Sequence, residues 1–160
     1  MCIRDSVKHV RPTHETWQKL VFDFVAKSDK AILFLAASGT AGPTFFDLVK
    51  LVDADTTMGS GSFENGREQW DLGENASVQE TNSLLGEHSL VLTNGPDSDL
   101  AYANRSIRLG PNDHRKSFKL TAAIKTGDWS PSEVVKPSSV PVVGSRFRCD
   151  QQTNLSLIHI

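Results

Sequence analysis

The chain has 160 residues, 22% of them charged, and a formal net charge of −2. That balance supplies no basic field for a nucleic acid or an anionic membrane surface. With only Cys2 and Cys149, and with five dispersed histidines, the sequence also offers no spaced Cys/His set for a metal cluster.

The two ends have a shared explanation in nucleotides. The last six residues, LSLIHI, can be written CTGTCTCTTATACACATC. The complementary strand, read from its ATG with one flanking base, encodes Met-Cys-Ile-Arg-Asp followed by Ser or Arg, which are the first six residues, MCIRDS. Both ends resemble a translated transposon mosaic-end sequencing adapter, so residues 1–6 and 155–160 are expected to be artefact and to contribute no core. The remainder is then expected to be the middle of a longer gene. Setting Cys2 aside leaves Cys149 without a partner for an internal disulfide.

The dominant period along the chain is two. "KLVFDFVA" puts Leu20, Phe22, Phe24 and Ala26 on one side of a strand, with Val21, Asp23 and Val25 on the other. "KAILFLAAS" is an apolar run suited to a strand buried on both faces, and "FFDLVKLVD" is a third strand. "TTMGSGS" is small and polar, as a linker or a tight inter-strand connection would be. Strand signals resume in "ASVQE", "HSLVLTN", "DLAYANRSIRL" and "SFKLTAAIKTG". The last places Phe118, Leu120, Ala122 and Ile124 on a single face. From Trp129 onward the Pro- and Ser-rich "SPSEVVKPSSVPVVGS" reads as linker or edge strand. No stretch carries three turns of helical periodicity. The expected fold class is all-β, an antiparallel sandwich.

"GSFENGREQWDLGENASV" is the most informative stretch. Its Phe-Glu, Asn-Gly and following Trp resemble the opening of carbohydrate-binding modules of the family four and family nine type, which are galactose-binding-like jelly rolls. "GEHSLVLTN" and "SFKLTAAIKTG" continue the resemblance to about Asp128. Upstream, "TWQKLVFDFVAKSDKAILFLAASGTAGPTFFDLVKLVDAD" resembles the closing strands of the same kind of module. The resemblance thus implies tandem modules, with residues 7–55 closing a first and residues 60–150 opening a second. A jelly roll needs eight strands, and each piece alone leaves a bare sheet face and unpaired edges. Residues 7–55 are therefore expected to dock on residues 60–128 as one composite sandwich in permuted order. The alternative is two partly open half-domains.

What the resemblance implies about sites is specific. Relatives often hold a structural calcium, and the matching acidic positions are Asp47 on the closing strand and Glu64 in the opening Phe-Glu. A hard cation needs several oxygens, so backbone carbonyls would complete the set. A rival calcium loop, "DADTTMGSGSFE" with Asp53, Asp55, Thr57 and Glu64, fails because Met58 stands where the turn requires glycine. Sugar binding needs an aromatic face and a few polar groups. Trp70 matches a core position and Trp17 opens a strand, so packing suits both. Tyr102, with Asn104 and Arg105 beside it, and Trp129, in a loop next to Asp128, are the carbohydrate-binding candidates. No nucleophile elbow, zincin helix or phosphate loop is present to support catalysis. "NAS" at Asn75 and "NRS" at Asn104 are glycosylation sequons.

The expectation is a non-catalytic carbohydrate-binding module of a larger secreted or surface protein. Its partner would be a polysaccharide or glycan, with no nucleic acid and no membrane insertion. The competing reading is a structural or adhesion spacer that keeps the fold without a sugar site.

Overall fold

The computed structural model describes residues 6–9, 15–26, 30–38, 42–53, 56–93, 100–110, 116–127 and 155–159. Among these residues every regular element is a strand: β1 Ser6–His9, β2 Gln18–Val25, β3 Lys30–Ser38, β4 Thr44–Asp53, β5 Thr56–Gly61, β6 Asp71–Leu72, β7 Ala76–Gln79, β8 Ser89–Leu92, β9 Leu100–Arg108, β10 Ser117–Thr126 and β11 Leu155–His159. The protein is an all-β sandwich, built from a five-stranded sheet A in the order β1-β11-β3-β9-β6 and a six-stranded sheet B in the order β2-β10-β4-β8-β7, with β5 on β4. Pairing is antiparallel except where β1 meets β11 and β11 meets β3.

The alternation read from the sequence decides which face of each strand is inward. Leu20, Phe24 and Ala26 join the core from β2 and its end, and Phe118, Leu120, Ala122 and Ile124 join it from β10. Phe22 packs against the same cluster. In β3 only one set is fully inside. Leu33 and Leu35 are buried, whereas Ile32 and Phe34 are half-buried. The apolar run is thus covered on one face and partly open on the other.

Both sheets contain strands from residues 7–55 and from residues 60–128, paired with one another at β3–β9, β2–β10, β10–β4 and β4–β8. β10 lies between β2 and β4, with Phe24 opposite Phe118 and Phe22 opposite Leu120. β9 pairs along the full length of β3. One buried cluster takes Leu20, Leu33, Leu35, Leu51, Leu90, Leu120 and Ile124 together. Each added strand satisfies the backbone groups of its neighbour's edge and covers part of the opposing sheet, which is why neither segment stands as a separate core.

Three local features go beyond the sequence reading. "TTMGSGS" is not a linker. Thr56–Gly61 forms β5 and pairs with β4 over residues 49–53, where β8 no longer reaches. A built Cβ on Gly61 would stand 2.7 Å from Trp70 Nε1, so only glycine lets this strand approach. β4 also carries a bulge. Thr121 pairs with Lys50 and Ala123 with Asp47, leaving Leu48 as an extra residue at φ 51°. The bulge shifts the phase, so Phe46, Val49 and Leu51 all face inward. Finally, the backbone of residues 155–159, expected to be artefact that contributes no core, pairs with β3 at residues 32–36. An unpaired strand edge is a template for any β-prone segment, and "LSLIH" alternates apolar residues.

Candidate functional site

The outward face of sheet A presents aromatic and polar side chains in register. Antiparallel pairing sets Phe34 opposite Asn104, and Asn104 opposite Asp71, so these three form a row across the sheet. Tyr102, one pleat away on β9, reaches diagonally to Phe34, and the rings stack with centroids 5.1 Å apart and planes 16° from parallel. Gly73 lies on the other side of Tyr102, donating its N–H to the Tyr102 carbonyl at 2.9 Å. A Cβ on Gly73 would meet the tyrosine ring at 2.9 Å, so the absent side chain leaves the space that the ring fills. Tyr102, Phe34 and Asn104 are half-buried, and Asp71 and Ser106 are exposed.

Arg105 does not share this face. It follows the inward alternation of β9 and reaches from sheet A to β5, donating to the Ser60 carbonyl, and to Gln69 Oε1 at 2.8 Å. Trp70 is buried against Phe63, with ring centroids 5.9 Å apart, in the core position expected for it. Trp129 lies outside the described residues. Phe34 was missed by sequence reading because its partner is fixed only by the β3–β9 register.

Asp47 and Glu64 converge on one loop, residues 80–88. Asp47 is fully buried on the outward side of β4. Its Oδ2 accepts the N–H groups of Leu84 at 2.9 Å and Leu85 at 3.0 Å, and its Oδ1 accepts that of Leu48 at 2.6 Å. Glu64 is not on a strand but in the turn that follows β5. It accepts the N–H groups of Glu87 and His88 and lies 3.4 Å from His88 Nδ1. The Glu87 and His88 amides, aided by the His88 ring, hold its carboxyl below the ordinary glutamate range against a smaller opposing effect of burial. Gly86, at φ 84°, sits directly beneath that carboxylate and has no room for a side chain.

The loop has further ties. Ser89 Oγ donates to the Thr81 carbonyl, Ser83 Oγ to the Gly86 carbonyl, and Lys125 Nζ to Asn82 Oδ1. Both carboxylates thus serve as acceptors for backbone amides, most of them from this loop. Among the described residues no group of three or more His, Cys, Asp or Glu side chains is placed to hold a metal ion.

No known protein family matches the chain, and neither the curated proteins nor the solved structures contain a significant match to it.

Proposed function

We propose that the protein is a non-catalytic carbohydrate-binding module, of jelly-roll, galactose-binding-like type, within a larger secreted or surface protein. The observation that carries this reading is the outward face of sheet A, where the Phe34–Tyr102 stack is flanked by Asn104 and Asp71. An aromatic surface takes the apolar face of a pyranose, and amide and carboxylate groups beside it take the ring hydroxyls. The sequence resemblance supports the same class. Trp129 belongs to the proposal as a second contact, on the sequence alone.

Affinity electrophoresis against glucans, xylans and galactans tests it. Retardation on at least one polymer, weakened about tenfold by Tyr102→Ala, is the expected result, since one lost stacking contact costs about 1.4 kcal/mol. Trp129→Ala in the same gels tests the second contact. Failure of every polymer to retard the protein would favour the spacer reading. The calcium implied for Asp47 and Glu64 is a separate part of the proposal, and chelation addresses it. A bound ion must raise the melting temperature of the native state, so an unchanged midpoint in chelator removes the claim.

A further inference from the structure

We propose that the outward face of sheet B is a self-association surface, on which the Leu84–Leu85 tip of one copy seats against the lysine-bearing strip of a second, and the reverse. The proposal does not depend on sugar binding.

The tip is unusual in being both apolar and fixed. Leu84 and Leu85 are 48% and 65% exposed. Their own amides are anchored to the buried Asp47 carboxylate, and the loop around them is tied at both ends by Glu64 and Ser89. A loop ordered before contact has little conformational entropy left to lose on binding. Two adjacent leucines held in water on such a loop form a ready-made anchor. Exposed Glu80 and Glu87 lie on either side of the tip, Glu80 3.6 Å from His88 Nε2, and one lysine, Lys125, is bonded to Asn82 of the same loop.

The complementary surface lies on the same sheet face. Cross-strand register places Asp23, Lys119 and Val52 in one row, and Val21, Thr121 and Lys50 in the next. Lys50 and Lys119 are exposed, and Val21, Thr121 and Val52 are half-buried between them. The result is a shallow β-branched strip rimmed by Lys50 and Lys119, with the exposed Asp23 facing Lys119 across the β2–β10 pair. The strip begins one row beyond Asp47, two residues along β10, about 7 Å at the strand rise of about 3.3 Å per residue. An apolar tip whose rim carries an excess of acid and an apolar strip whose rim carries an excess of lysine, side by side on one face, are self-complementary about a two-fold axis. Each contact then forms twice, as in any isologous dimer. A strongly basic or uncharged partner would satisfy only one of the two patches.

Sedimentation velocity on the full chain decides the matter. The expected result is a monomer–dimer equilibrium in low salt that shifts toward monomer in molar salt, where rim charges are screened. Leu84→Ser with Leu85→Ser is expected to weaken dimerisation at least tenfold. Both side chains are exposed and the anchoring amides remain, so the fold is kept, as circular dichroism would verify. Lys50→Glu with Lys119→Glu is expected to abolish the dimer, and adding Glu80→Lys with Glu87→Lys to that variant to restore it. A monomer at every concentration in low salt overturns the proposal. So does a dimer that survives both the leucine and the lysine substitutions.

Discussion

Asp47 shows how one side chain can organise a surface it does not reach. A carboxylate without access to water is tolerated only when its oxygens are fully engaged, and three amide N–H groups engage these. Asp47→Ala would leave those donors facing an apolar gap. We expect a loss of about 3 kcal/mol in denaturant unfolding, given about 1–3 kcal/mol for each stranded buried donor and some relaxation of the loop. Asp47→Asn keeps one acceptor oxygen and should lose less. Equal stability of the alanine variant and the parent would mean that the loop finds other acceptors.

Glu64 holds the other end of the loop and brings a pH dependence. Its folded carboxyl is held below its unfolded value, chiefly by the Glu87 and His88 amides. The stabilising contribution is therefore complete above the unfolded value and is lost as pH falls through the lower folded one. Amide exchange at Glu87 and His88 should stay slow through neutral and mildly acidic solution, then accelerate in stronger acid. Glu64→Gln should show faster exchange at neutral pH and no acid step. An acid step persisting in that variant would assign the titration to another group.

β4 and β5 show how backbone geometry and side-chain phase are matched within an element. Without the extra residue Leu48, strict alternation from Phe46 would turn Leu48 and Lys50 inward instead of Val49 and Leu51. A non-glycine residue accepts the left-handed conformation there, and its amide is capped by Asp47. β5 depends on the opposite economy, the absence of a side chain at Gly61 beside Trp70. Gly61→Val would drive two methyl groups toward the indole. We expect about 2–3 kcal/mol of destabilisation from overpacking, with a shift in tryptophan emission as the ring moves. Unchanged emission and stability would show that β5 can lift from β4 at little cost.

Each sheet joins strands from both parts of the chain, and one buried cluster spans them, so their stabilities are coupled. Leu120 is fully buried on β10, between β2 and β4, and belongs to the cluster shared with sheet A. Leu120→Ala should cost about 2–5 kcal/mol, as large cavities in well-packed cores do. It should lower the midpoint of one cooperative transition seen identically by far-ultraviolet circular dichroism and tryptophan fluorescence. Two separated transitions would mean that residues 7–55 and 60–128 unfold independently.

Strand identity was legible from local pattern because a half-buried strand must alternate. Phe118, Leu120, Ala122 and Ile124 show this without any reference to a partner. Trp70 likewise reads as core from its setting. Partners and faces were not legible. The pairing of Phe34 with Tyr102 depends on a register between strands about seventy residues apart, and nothing local to either residue encodes it. "TTMGSGS" reads by composition as a linker or a tight inter-strand connection, yet it becomes a strand because β4 offers it an unpaired edge and Trp70 leaves room only for glycine. Asp47 carries the same limit. On a strand with period two it looks like a solvent-facing carboxylate, and its burial exists because a loop nearly forty residues later folds over it and supplies the amides. Periodicity is a short-range consequence of burial, whereas register and loop closure are settled by which distant backbone groups find each other.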